Sequence, residues 1–214
     1  MTENLTILFD LDGTVIDSTE AILEGFHNSF DVYDLPQPSD EDIKALIGHP
    51  LDVMYANLKI EKNLVWDMVK TYKEHYSKIY KDKTILLEHA VESIRLAQEI
   101  ARLGVVTTKT GTFSRDLLEH FGVMDAFEVL IGREHVDKPK PDAEPINKAM
   151  EMMKADKSNT WMIGDTRLDI GSAINAGIKS VAVTSGYDTR EQLQSLTDII
   201  ETDVLEAVKY ISKF

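Results

Sequence analysis

Five short apolar runs constrain this chain more than any other feature: 5–9 (LTILF), 104–108 (GVVTT), 127–131 (FEVLI), 161–164 (WMIG) and 180–184 (SVAVT). Each has the length of a strand and little polar alternation, the pattern of strands covered on both faces. Segments of helical period lie around the later runs, at about 88–102, 114–121, 142–154 and 168–176, with a last one at 203–212. Apolar runs alternating with helices imply βαβ units. The expected fold class is therefore α/β, a Rossmann-like three-layer core around a central parallel sheet. In such sheets ligands bind beyond the carboxyl ends of the strands.

One stretch breaks the alternation. Residues 15–81 carry helical pattern only, with no convincing strand. Leu64, Val65, Met68, Val69, Tyr72, Tyr76 and Tyr80 share one amphipathic face. Pro36 and Pro38, followed by Ser39-Asp40-Glu41-Asp42, mark a loop and then a helix start whose acids suit the dipole. The expected organisation is a core of 1–14 and 82–214, with 15–81 inserted as an α-helical cap domain.

Charge narrows the partners. The net charge is −14, and no Lys or Arg precedes Lys44. Such a surface repels nucleic acid and anionic lipid, so neither is an expected partner. The chain has no cysteine, which removes disulfides, thiolate chemistry and iron–sulfur sites. No leader-like N-terminus or bilayer-length apolar run is visible, so a cytoplasmic location is expected. An anionic substrate would need local cations.

Four strand ends carry polar residues of a consistent kind. The first reads Asp10-Leu11-Asp12-Gly13-Thr14. Two carboxylates about 4 Å apart repel by about 4 kcal/mol at an effective dielectric near 20. Such a pair holds a cation or shares a proton, or it is simply an acidic turn that Gly13 permits. The second end runs through Val106 into Thr107, Thr108 and Lys109, where Thr also suits a plain strand. The third is Asp137-Lys138-Pro139-Lys140-Pro141-Asp142, a rigid loop leading to an Asp that fits a helix N-cap. The fourth, Gly164-Asp165-Thr166-Arg167-Leu168-Asp169, places two carboxylates one helical turn apart. Asp17 or Ser18, just beyond the first pair, reads more simply as an N-cap. Taken together, hard oxygen donors with no His cluster suit Mg²⁺ rather than zinc. Neither GxxxxGK[ST] nor GxGxxG occurs, so the usual nucleotide-binding loops are absent.

The motifs DLDGT, the strand-end Thr107, KPKPDAEPI and GDTRLDIGSAINAG resemble, in order and spacing, those of the haloacid dehalogenase-like (HAD) phosphohydrolase superfamily. The likeness runs along essentially the whole chain. The insertion looks like the helical cap of the subgroup containing phosphoglycolate phosphatases, β-phosphoglucomutases and pyrophosphatases. Leu46-Ile47-Gly48-His49-Pro50-Leu51 is similar to the cap loop facing substrate in phosphoglycolate phosphatase-like members.

The resemblance implies a Mg²⁺-dependent phosphatase of a small phosphorylated metabolite, working as a monomer or small homo-oligomer. Asp10 would be the nucleophile forming an aspartyl-phosphate, and Asp12 the general acid and then base. Asp10, the Asp12 carbonyl and Asp165 would hold the metal, with Asp169 orienting the shell around it. Thr107, the Thr108 amide and Lys138 would hold the phosphoryl group. Lys44, Gly48 and His49 are the cap candidates for substrate contact. Thr108 stands where Asn is common in relatives, and Ala143 where Pro is. An Asp at position 12 fits phosphatases and mutases alike, so a β-phosphoglucomutase-type or pyrophosphatase outcome stays open. A non-catalytic role is disfavoured, because every motif position keeps a competent side chain.

Overall fold

The computed structural model describes residues 5–214. In chain order the strands are β1 (Thr6–Phe9), β2 (Ile16–Asp17), β3 (Ile85–Leu86), β4 (Arg102–Val106), β5 (Val129–Ile131), β6 (Thr160–Gly164), β7 (Lys179–Val183) and β8 (Ile200–Glu201). The helices are α1 (Thr19–Val32), α2 (Asp40–Lys44), α3 (Leu51–Asn57), α4 (Val65–Ile79), α5 (Ala90–Ile100), α6 (Gly111–His120), α7 (Glu144–Met153), α8 (Arg167–Ala176), α9 (Arg190–Gln194) and α10 (Val204–Ile211).

Six strands form one parallel sheet in the order β5-β4-β1-β6-β7-β8. Strand residues alternate between two apolar layers, as a pleat requires. Ile7, Phe9, Val105 and Ile163 enter the layer shared with α5 and α10, while Leu8, Val106 and Met162 enter the layer with α7 and α8. Both layers are closed by amphipathic helices, so the carboxyl edge of the sheet is where polar groups collect. No helix among the described residues is long and apolar enough to cross a membrane.

Helices α1–α4 all lie between β2 and β3 in the sequence. In that group α1 packs along α4, and Phe26 meets Tyr55 and Tyr72 at ring-centroid distances of 4.7 and 5.1 Å. Gly25 makes that approach possible, because a Cβ there would fall 2.6 Å from the Tyr72 ring. Ser39 caps α2 by accepting from the Asp42 amide, with three acids in the first turn, as its sequence suggests.

Three expectations need correction. Residues 15–81 are not purely helical: Ile16–Asp17 pairs antiparallel with Ile85–Leu86. A two-residue strand carries too little pattern to be seen in a sequence. The strand expected at 104–108 spans Arg102–Val106 instead, because Arg102 pairs with Thr6. That shift leaves Thr107 and Thr108 beyond the strand, in the loop. Asp142 does not precede α7 directly; its carboxylate caps the Glu144 amide from one residue further back.

Candidate active site

Asp10 follows the last residue of β1, the central strand, and its amide donates to Ile163 O at 2.9 Å. The chain then folds back on itself, with Leu11 O accepting from the amides of Thr14, Val15 and Ile16. Gly13 takes φ +83°, and a Cβ there would overlap the Asp165 carboxylate. The turn therefore serves a close approach between strand ends.

Asp165 follows β6 and is fully buried. Thr14 Oγ1 and the Tyr187 amide donate to its two oxygens at 3.0 and 2.9 Å. Asp169 lies in the first turn of α8, also fully buried, accepting from the Thr166 amide and hydroxyl at 3.0 and 2.6 Å. Asp10, Asp165 and Asp169 each bring an oxygen within 4.8 Å of the others. Burial above all, then the Asp169 carboxylate, pushes the Asp10 carboxyl up to about 7. Burial, followed by Asp169 and Asp10, raises Asp165 well above the carboxylate range. Three buried acids drawn together with one contacting ammonium have the charge and hardness that Mg²⁺ satisfies.

That ammonium belongs to Lys140. Its Nζ donates to Asp10 Oδ1 at 2.7 Å, Asp169 Oδ1 at 2.5 Å and Val106 O at 3.1 Å. Burial opposes its charge, but Asp10 and Asp169 hold it above its ordinary value. This corrects the assignment of Lys138, which is exposed. The Lys138 amide donates to Glu144 at 2.9 Å, which orients the loop outward at that residue. Two lysines separated by one proline cannot be told apart by sequence; the register of the loop decides which turns inward.

Asp12 has a cation of its own. Lys109 Nζ donates to both of its carboxylate oxygens at 3.0 Å, and Ser18 Oγ donates to Oδ1. Of the two N-cap candidates it is therefore the Asp17 carboxylate that accepts from the Thr19 amide, at 2.9 Å, while the Ser18 side chain makes no cap bond. The Lys109 ammonium stands 5.1 Å from the centre of the Tyr76 ring on α4. Lys109 follows the two threonines directly, yet a lone Lys after a strand resembles any loop cation, so the sequence carries no signal that singles it out. Thr107 is buried, with its hydroxyl accepting from the Lys109 amide at 3.2 Å.

Of the cap candidates, Gly48 and His49 line a cavity of about 310 Å³ beside Asp12 and Lys109, whereas Lys44 does not. Thr108 Oγ1 donates to Gly48 O at 2.7 Å, tying the cap loop to the end of β4. Burial lowers the His49 imidazole, assisted by Arg167.

Residues 7–183 match the family described as haloacid dehalogenase-like hydrolase. The chain is 35% identical over 187 residues to the pyrophosphatase PpaX of Halalkalibacterium halodurans, spanning 86% of this chain and 85% of that one. Its fold superposes on a haloacid dehalogenase-like family hydrolase from Streptococcus pneumoniae with a TM-score of 0.88 at 26% identity, covering 98% and 99% of the two chains. A predicted phosphoglycolate phosphatase from Haemophilus somnus gives 0.83 at 26% identity, with 98% of both chains covered.

Proposed function

The chain belongs to the haloacid dehalogenase-like hydrolases, a phosphatase of that family, and on this footing we propose that it hydrolyses a small phosphorylated metabolite through an aspartyl-phosphate with Mg²⁺ as cofactor. The observation that carries the reading is Asp10 itself. It is a buried carboxylate at the central strand end, facing Lys140 and two further acids, with Asp12 two residues on at the mouth of a cavity.

In the first half-reaction an Asp10 oxygen attacks phosphorus, the bond from phosphorus to the leaving oxygen breaks, and the Asp12 carboxyl gives that oxygen its proton. In the second, the Asp12 carboxylate takes a proton from water as the water oxygen attacks the acyl phosphate. Orthophosphate leaves and Asp10 is restored. Lys109 and Ser18 fix the Asp12 carboxylate in place for both tasks. Thr107 and the Thr108 amide would hold the phosphoryl oxygens, and Lys140 would offset their charge. Asp10, Asp165 and the Asp12 carbonyl would hold the metal, with Asp169 steering Lys140 beside it. Bound Mg²⁺ supplies charge neutralisation to the transferring group.

The name of the relative from Halalkalibacterium halodurans supports a second reading, in which the bond cleaved is the anhydride of inorganic pyrophosphate. Replacing Asp10 by Asn tests the common core of both. Hydrolysis of p-nitrophenyl phosphate should vanish while the fold survives, and EDTA should abolish wild-type turnover until Mg²⁺ is restored. A folded, active D10N protein would refute the covalent route, and full activity in chelator would refute the metal.

A further inference from the structure

The cavity that receives the leaving group is walled by Ile22, Met54, Val69, Tyr72, Tyr76 and Phe113, with Trp66 at its edge. Apolar and aromatic side chains dominate it, drawn from α1, α3 and α4 on one side and α6 on the other. Its charged members cancel: Lys73, Lys109 and Arg133 are matched one for one by Asp12, Asp52 and Glu134. Several are already engaged. Lys109 is paired with Asp12, Arg133 Nη1 donates to Val136 O at 2.8 Å, and Glu134 accepts from the Gly111 amide at 2.8 Å. Lys73 makes no ion pair among the described residues, and His49 is held toward its neutral form by burial.

A leaving group with no apolar part, such as a second phosphate or a small carboxylate, would leave this apolar wall uncovered. Apolar surface gains from leaving water when a matching group covers it. The volume of about 310 Å³ also exceeds what a two-carbon acid fills, and it falls in the range of small-molecule sites, roughly 300–1,000 Å³.

We propose that the substrate is a phosphomonoester whose leaving group carries an apolar, ring-sized body, seated between the α4 aromatics and Phe113 with its ester oxygen at Asp12. This rests on the phosphatase reading above and narrows it away from pyrophosphate and from phosphorylated small acids.

The test compares 2-phenylethyl phosphate with ethyl phosphate, which share the same leaving-oxygen chemistry and differ only in the ring. Pyrophosphate and phosphoglycolate are run beside them, all with Mg²⁺ and read by phosphate release. The phenylethyl ester should exceed ethyl phosphate in kcat/KM by about tenfold or more, and should also exceed pyrophosphate and phosphoglycolate. The D10N protein should bind the phenylethyl ester more tightly by calorimetry, and Phe113→Ser should shrink the ratio several-fold. Equal rates and equal binding for the two esters, preference for either competitor, or a ratio untouched by Phe113→Ser would overturn the proposal while leaving a working phosphatase. Absence of turnover on every ester would instead count against the phosphatase reading. The D10N binding pair then decides the cavity by itself, tighter phenylethyl binding supporting it and equal binding refuting it.

Discussion

Lys140 and Asp10, 130 residues apart in the chain, meet at 2.7 Å with their side chains 2% and 6% exposed. No solvent shields this contact, and Lys140 bridges onward to Asp169. Asp10, the proposed nucleophile, therefore shares its cation with an acid in the first turn of α8.

Removing that cation should separate the two lysines of the KPKP loop. Lys140→Met should lower kcat/KM by at least about 100-fold, the size of effect expected for losing one preorganised charge contact. It should also destabilise the fold by about 3–5 kcal/mol, since buried acids are left unpaired. Lys138→Ala, at an exposed position, should stay within about 0.5 kcal/mol and near wild-type turnover. Phosphate-release kinetics and urea melts of the two variants check this, and the reverse ranking would restore Lys138 to the site.

Metal-free protein should respond to pH through the acid cluster. The Asp10 carboxyl is pushed up to about 7, by burial first and Asp169 next. A folded-state value above the unfolded one, about 4, means that the folded chain holds the proton more tightly. Its stabilising contribution is full below about pH 4 and is lost as pH rises toward 7. Mg²⁺ competes with that proton and offsets the repulsion left when it departs. The rise in Tm on adding Mg²⁺ should accordingly be larger at about pH 8 than at about pH 6, and a rise independent of pH would argue against metal at these carboxylates.

The strands and helices that place Asp10, Asp165 and Asp169 are readable because continuous apolar runs and helical period fix direction and face over several residues. Asp165 and Asp169 illustrate this, since a strand end and one helical turn determine both positions. Lys140 and Lys109 were not readable for a physical reason. Each lies in a loop, where neither period 2 nor period 3.6 says which side chain turns inward, and the inward one is chosen by contacts distant in sequence. Ser18 shows the same effect at a helix start. A hydroxyl that suits a cap is drawn to a carboxylate six residues earlier, and its neighbour Asp17 takes the cap instead. β8 and β2 fall below the length at which any pattern is visible.

The Asp12–Lys109 pair should appear as coupling in stability. Asp12→Asn and Lys109→Met each strand a partner whose side chain is about 9–12% exposed. The double variant should therefore lose less than the sum of the two, with a coupling of about 0.5–3 kcal/mol in urea melts. Additive losses would show that the pair is not a unit.

Thr108 offers a milder test of the cap loop. Thr108→Val keeps the shape but removes the bond to Gly48 O, at a net stability cost of about 0.5–1.5 kcal/mol. KM should rise several-fold with kcat nearly unchanged, because the loop bordering the cavity loses its tether while Asp10 and Asp12 stay in place. A fall in kcat alone would assign Thr108 to the chemical step instead.

The antiparallel pairing of Ile16–Asp17 with Ile85–Leu86 has a consequence for how such a chain can change over generations. It makes the exit from the sheet and the return to it neighbours, about 5 Å apart as paired strands are. Topologically, residues 18–84 are the loop of a hairpin, however much structure that loop contains. A recombination event with both breakpoints at this hairpin exchanges the whole α1, α3 and α4 side of the cavity, leaving the α6 side in place. The six-stranded register and the carboxylates at its edge are untouched by the exchange, so new selectivity can arise by transplant rather than by gradual revision of the catalytic frame.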